Sequence, residues 1–326
     1  MPFLPVARRL VVAVLALAAL AAAPAPAPAR DEADDDVSFW VNPDTGAARQ
    51  TAAWSRQGRF ADAWTVARIS VQPQAEWFSV DDPGPRVRSI VERAAEAERT
   101  PVLVAYFVPD RDCGAYSAGG ARDGDHYRRW IDDFADGLGP HGAFVVVEPD
   151  AVAHAVAEDC EGADDEERYE LLAYAVDRLK RQAGTRVYLD AGNAGWIPQV
   201  RRLVTPLRLA GVERADGFAL NVSNFHTDEV SAAYGHELAR ALGGEPHFVI
   251  DSSRNGNGPY KGDEPWCNPP GRALGRAPTT RTGDPAVDAY LWVKRPGESD
   301  GTCRGGPEAG RWWPRYALEL ARNSLG

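Results

Sequence analysis

Ala143-Phe144-Val145-Val146-Val147 runs directly into Glu148-Pro149-Asp150 and then into an Ala-rich stretch. Five apolar residues in a row, mostly β-branched or aromatic, leave no polar alternate position, so the strand they form is covered on both faces. Two carboxylates close the run where the pattern turns helical. The same figure recurs: apolar runs lie at 65–70, 102–108, 186–189, 217–221, 247–250 and 289–293, and helix-period stretches lie at 87–99, 126–138, 166–182, 229–242 and 313–323. Strands alternating with helices and buried on both faces indicate a parallel α/β sheet. Seven runs, one short of a regular eight-stranded barrel, predict a distorted seven-stranded parallel β/α barrel.

In such sheets ligands bind beyond the carboxyl ends of the strands, so the residues after each run carry the chemistry. Tyr106 leads to Arg111-Asp112, the 143–147 run to Glu148 and Asp150, and 186–189 to Asp190. The later runs lead to Asn221-Val222-Ser223-Asn224, to Asp251-Ser252-Ser253-Arg254, and to Lys294 with Glu298 and Asp300. Six strand ends thus converge with carboxylates, amides and cations on one face. Each residue has a plainer role open to it. Asp150 can be the N-cap of the Ala-rich helix, Asp190 and Asp251 can brace loops, Asp112 can form a surface ion pair, and Lys294 can be exposed. Their joint occurrence favours an active-site floor.

The chain has 326 residues, 44% hydrophobic and 25% charged, enough for a sizeable core. With 47 acidic against 36 basic residues and a net charge of −11, no basic face suits nucleic acid, and a neutral or cationic substrate fits better. Arg8-Arg9 precede an apolar run over 10–23 and an Ala-Pro tract. A run of about 14 residues is a signal-peptide length, shorter than the ~20 of a membrane span. Residues 1–29 are therefore expected to be an export signal, by the general or the twin-arginine route, residues 30–38 an acidic disordered leader, and 39–326 one catalytic domain. The mature protein is expected to be secreted, monomeric and free of the membrane. Export also favours disulfides for Cys113, Cys160, Cys267 and Cys303. Three pairings are open, the sequence-local one joining 113 to 160 and 267 to 303. A zinc site is the rival, but there is no C-x-x-C and the six histidines are scattered.

No G-x-S-x-G, H-E-x-x-H, P-loop or post-strand G-x-G-x-x-G is present, which removes the anchors of serine hydrolases, zincins, NTPases and dinucleotide enzymes. No metal or cofactor is expected. What remains is several aspartates and ten tryptophans, and carboxylate pairs beside aromatic platforms are the equipment of glycoside hydrolysis. Asp150, at a buried strand end, is the natural acid, because burial keeps a carboxyl protonated.

Seven motifs, in order, resemble those of glycoside hydrolase family 6 cellulases. They are Arg111-Asp112-Cys113-Gly114, Val147-Glu148-Pro149-Asp150, Leu189-Asp190-Ala191-Gly192, Asn221-Val222-Ser223-Asn224, the 251–258 stretch, Trp266-Cys267-Asn268-Pro269, and Lys294 with Pro296-Gly297-Glu298-Ser299-Asp300-Gly301. The resemblance runs from about Phe39 to the C-terminus. It implies a distorted seven-stranded barrel and cleavage of β-1,4-glucan with inversion. It implies Asp150 as general acid, Asp112 as the neighbour that raises its pKa and organises the water, Asp300 as candidate base, and Asp190 as support for the acid. By the same resemblance Tyr106 presses on the distorted sugar, and Lys294, Glu298, Ser223 and Asn224 bind in the cleft. Trp40, Trp196 and Trp266 stack on sugars, whereas the other seven tryptophans are expected to pack. The sequence-local disulfides are also implied.

Two departures stand out. Asn193 occupies a position where the family commonly has histidine; an amide can bond a sugar hydroxyl but cannot titrate. Ala118 stands where a water-holding serine is expected, with Ser117 one position earlier. Exo-acting members roof the cleft with two long insertions, whereas the segments between Asn257 and Trp266 and after Lys294 are short here. The expectation is therefore an open cleft and endo action on soluble or amorphous β-1,4-glucan. The alternatives are a cellobiohydrolase, another β-glycanase of the same fold, and a non-catalytic glucan-binding protein.

Overall fold

All seven strands run parallel and lie side by side in chain order: β1 (Glu76–Phe78), β2 (Val102–Ala105), β3 (Phe144–Val147), β4 (Arg186–Asp190), β5 (Gly217–Leu220), β6 (His247–Asp251) and β7 (Val287–Leu291). This is seen in a computed structural model that describes residue 1, residues 37–244 and residues 246–324. The expected export signal and residues 30–36 of the expected leader lie outside the described residues. The leader's last two residues are paired: Val37 N–H donates to Thr280 Oγ1 at 3.0 Å, and the Ser38 carbonyl accepts from Thr100 N–H at 3.0 Å. These two residues are therefore held against the domain. Among the described residues no helix is long and apolar enough to cross a membrane.

Parallel neighbours need a crossover at every step. Two helices, α1 (Gly46–Arg56) and α2 (Phe60–Ser70), precede the sheet, and crossovers follow as α3 (Gly84–Glu96), α4 (Gly124–Leu138), the pair α5 (Ala151–Ala157) and α6 (Asp165–Leu179), α7 (Arg201–Leu209) and α8 (Asp228–Leu242). The step from β6 to β7 is made by loop, and α9 (Pro314–Asn323) ends the described chain. Alternate strand residues divide between two cores. Val104, Val146, Tyr188, Ala219, Val249 and Leu291 fill the barrel interior, while Leu103, Val145, Leu189, Phe218 and Ile250 pack outward on the helices. Both sets are fully buried, which is why the strands read as continuous apolar runs.

The barrel is split between β1 and β7. No ladder joins these two strands; Ala75 N–H donates to the Trp292 carbonyl at 2.9 Å, the Trp77 indole N–H to the Val293 carbonyl at 2.8 Å, and Arg295 Nε to the Ala75 carbonyl at 2.8 Å. The expected strand at 65–70 is instead the end of α2. Its Thr and Ile suggested a strand, but Ala63, Val66 and Ile69 are buried at helical spacing against α1 and α9. The first strand is the three-residue β1, too short to show a period. Trp64, expected to pack, is 76% exposed on the outer face of α2.

The disulfides are Cys113–Cys160 and Cys267–Cys303, the sequence-local pair. Closing loops of 47 and 36 residues, each contributes about 4 kcal/mol in the chain-entropy account. Cys113, Cys160 and His154 form a ligand-like group, but the two sulfurs are bonded to each other, so the zinc reading loses its ligands.

Candidate active site

The strand ends form a strained polar floor. Asp112, Glu148, Asp150, Asn221 and Ser223 all have φ between +46° and +73°. Each such non-glycine residue costs roughly 1–3 kcal/mol, a cost typical of positions that aim side chains at a ligand. Asp150, at φ +73°, precedes α5 without making a side-chain capping bond, which removes the helix-cap role. Its N–H donates to Asp190 Oδ1 at 3.0 Å. Burial pushes the Asp150 carboxyl up to about 6; Asp112 adds to the rise, while His154 and Lys294 oppose it. Asp190 is fully buried, accepts from the N–H groups of Asp150 and Gly192, and leaves Oδ2 without a partner. Burial and the adjacent Asp150 hold its carboxyl well above the usual range.

Asp112 stands on the loop after β2. Its Oδ2 accepts from Ser117 N–H at 2.6 Å, so Ser117 is the serine brought against it, while Ala118 is exposed. Arg111 holds this loop by donating to the carbonyls of Ser79, Tyr106, Ser117 and Ala118, and its guanidinium lies 4.8 Å from the Tyr106 ring centre. Tyr116 from the same loop meets the β7 loop, where a Cβ on Gly301 would lie 2.4 Å from its ring. It also packs 5.9 Å from Trp266, which is 43% exposed.

At the end of β7, Asp300 is nearly buried between two cations. Arg254 Nη1 donates to its Oδ2 at 2.8 Å, Lys294 Nζ lies 3.0 Å from its Oδ1, and Asn268 N–H donates at 2.9 Å. Burial alone would raise its carboxyl, but Arg254 and Lys294 outweigh it and hold the group below the ordinary value. Lys294 is thus not an exposed lysine. Asp251 is the brace it resembled, accepting from the N–H groups of Ser223, Ser253, Val293 and Lys294 and so tying three strand ends together.

The amide positions are shaped by their own loops. Asn193 is nearly buried and its Oδ1 accepts from the N–H groups of Gly195 and Trp196, so it forms the turn that presents Trp196. Ser223 and Asn224 are half-buried beyond β5. Glu298 bonds Arg295 at 3.1 Å and lines a polar cavity of about 280 Å³ with Glu76 and Arg86.

The chain from residue 34 to residue 324 matches the family model described as glycosyl hydrolases family 6. The protein belongs to this family. Endoglucanase A of Cellulomonas fimi is 44% identical over 290 residues, covering 88% of this chain and 61% of that one. Endoglucanase A of Thermobispora bispora is 40% identical, covering 89% of this chain and 63% of its own. The chain therefore spans about three fifths of the length of these curated relatives. The endoglucanase Cel6 of Mycobacterium tuberculosis, solved with a thio-linked cellobioside, superposes with a TM-score of 0.82 at 43% identity, covering 88% of this chain and 97% of that one.

Within this family member, one tryptophan expected at the site is elsewhere and another has taken a place there. Trp40 is 6% exposed in the outer core, 5.3 Å from the Arg93 guanidinium, and its N–H bonds the Thr100 carbonyl ahead of β2. That is the opposite end of the strands, so it offers no face to a sugar. Trp77 in β1, expected to pack, is half-buried beside the open seam and meets Tyr106, beyond the paired β2, edge-on at 5.2 Å. The Trp77→Ala variant is expected to raise KM for cello-oligosaccharides about tenfold or more, with a stability loss of about 1–3 kcal/mol for the half-buried ring and its bond to the Val293 carbonyl. Trp40→Ala should destabilise by about 3–5 kcal/mol and leave KM alone. Steady-state kinetics and denaturant unfolding of both variants check the exchange. Glu148, quoted at its strand end without a role of its own, is a brace inside the core. Fully buried, it accepts from Phe107 and Val108 N–H groups at 2.9 and 3.0 Å, and burial pushes it up to about 7.

Proposed function

We propose that the chain is a secreted endo-β-1,4-glucanase that hydrolyses cellulose or soluble β-1,4-glucan with inversion. The observation that carries the reading is Asp150, a carboxyl held protonated to about pH 6 at a strained strand end, free of any capping role. In this reading it protonates the leaving glycosidic oxygen, while water attacks the opposite face of the sugar. Asp112, which accepts from the Ser117 N–H, orients that water in this reading. Asp300 is the base, ionised throughout the working range, and the two cations beside it make it a weak one. Tyr106, Trp77, Trp196 and Trp266 supply apolar faces for glucose rings, with Lys294 as the cation among the hydroxyl contacts.

Short segments after Asn257 and after Lys294 support lateral entry of a chain. On carboxymethylcellulose, viscosity is expected to fall steeply before reducing ends accumulate, and proton NMR should detect the α-anomer first. Slow viscosity loss with cellobiose as the main product, or a first-formed β-anomer, would overturn endo action or inversion respectively.

A further inference from the structure

His154 lies one helical turn beyond Asp150 on α5, with its side chain 14% exposed. Its Nε2 is 3.7 Å from Asp112 Oδ1 and its Nδ1 is 3.4 Å from Asp159 Oδ2. The Nδ1 atom is buried and makes no hydrogen bond, so the imidazole is held by charge more than by geometry. Its ring meets Trp196 edge-on at 4.6 Å, and the Trp196 indole N–H donates to the same Asp159 oxygen at 3.2 Å. Asp112 and Asp159 each immediately precede a cysteine of the Cys113–Cys160 disulfide, so that bond fixes the two carboxylates on either side of the ring.

We infer that His154 is a positioning residue: as an imidazolium between Asp112 and Asp159 it fixes Asp112 and Trp196 around the acid and sets the alkaline edge of activity. This rests on the reading of Asp150 as the acid. The charges around the ring favour its protonated form. Burial alone would lower its pKa, but Asp112, Asp150 and Asp159 raise it above the ordinary histidine value. The other charged groups nearby do not reverse this. Arg168 of α6 is turned to the Ala151 carbonyl and Arg202 of α7 to the Val156 carbonyl, while Lys294 acts on Asp150 from the β7 loop. The imidazolium acts on the acid in two ways that run in the same direction, both holding its proton affinity down. It favours the ionised form of Asp150 directly, and it screens the repulsion from Asp112 that favours the protonated form. Removing it lets both influences push the proton affinity of Asp150 upward.

The test is the pH profile of kcat/KM on a soluble β-glucan for the wild type and for His154→Gln. The alkaline limb is expected to move up by about half a unit or more, with kcat at pH 5.5 reduced about three- to tenfold as Asp112 loses its anchor. An unmoved limb overturns the inference. Imidazole NMR of the wild type and of Asp112→Asn gives a second readout that does not depend on the folding of His154→Gln. The His154 titration should fall on loss of Asp112, and an unchanged titration overturns the bridge. Asp150→Ala separates the two levels: if that variant keeps full activity on polymer, the acid assignment fails, whereas an inactive Asp150→Ala with an unmoved His154→Gln limb refutes the role of His154 alone.

Discussion

Asp150→Ala is expected to lose about 10²–10⁴-fold in kcat on polymeric β-glucan, and no more than about tenfold on an aryl cellobioside with an activated phenolic leaving group. The difference follows from what the carboxyl supplies. A sugar alkoxide leaves only if it is protonated as the bond breaks, while a nitrophenolate leaves without help. The buried carboxyl, up at about 6, is protonated below that pH and ionises above it, so wild-type activity on polymer should decline as pH rises through about 6. The aryl substrate in the variant should show no such decline. Folding gives a control, since Asp150 donates only its backbone N–H, to Asp190, and caps nothing with its side chain. The alanine variant should unfold within about 1 kcal/mol of the wild type, because the substitution breaks no side-chain hydrogen bond and removes a buried carboxyl that costs energy to ionise. Equal losses on both substrates would mean that Asp150 shapes the site without giving a proton.

The barrel was legible where the strands are long and buried on both faces. The runs ending at Val147, Leu189, Leu220 and Ile250 all became strands, because a strand covered on two sides has no polar position to interrupt it. The first repeat was misread for a physical reason. In 65–70, β-branched residues face a helical interface, and tertiary packing against α1 and α9 decides the structure over propensity. The true β1 has three residues, and no periodicity can be read from three. That one error carried Trp77 with it, since a tryptophan not assigned to a strand could not be placed at a strand end.

The convergence of polar groups was legible where they follow a strand directly, as Asp112, Asp150, Asp190 and Lys294 do, and the structure brings these side chains together at one end of the sheet. The site was not legible where position depends on the return of distant chain. Trp40 lies close before the first helices in sequence, but its bond to Thr100 pins it at the wrong end of the sheet. Arg254 was quoted within a motif and given no role, because only the folded chain shows a fully buried guanidinium facing Asp300 across 46 residues. His154 had a signal that could have been read: it is four residues after Asp150 in a helical stretch, which puts both on one face.

Arg254→Met is expected to destabilise the protein by about 3–5 kcal/mol at pH 7, the usual cost of leaving one partner of a buried ion pair alone. Arg254 is fully buried, donates to Asp300 Oδ2 and to the Ser223 carbonyl, and lies 4.4 Å over the Phe225 ring. Without it, Asp300 keeps Lys294 and one backbone N–H but loses its largest compensating charge. The pH dependence has a definite sign. In the wild type the folded pKa of Asp300 is depressed, so its stabilisation is complete above the unfolded value near ~4 and is lost as pH falls through the folded value. In the variant the burial that opposes ionisation is no longer outweighed to the same degree, so protonating Asp300 relieves the buried charge. The difference in stability between the two proteins should therefore shrink as pH is lowered from 7 towards 4. Adding Asp300→Asn to Arg254→Met should recover most of the loss at pH 7, since it removes the stranded anion, even though the double variant has lost both members of the pair. Urea unfolding at pH 7 and pH 4 for the wild type, the single variant and the double variant measures all of this. A loss below about 1 kcal/mol, or one that does not change with pH, would mean that Lys294 alone compensates Asp300 and that Arg254 serves the loop and not the charge.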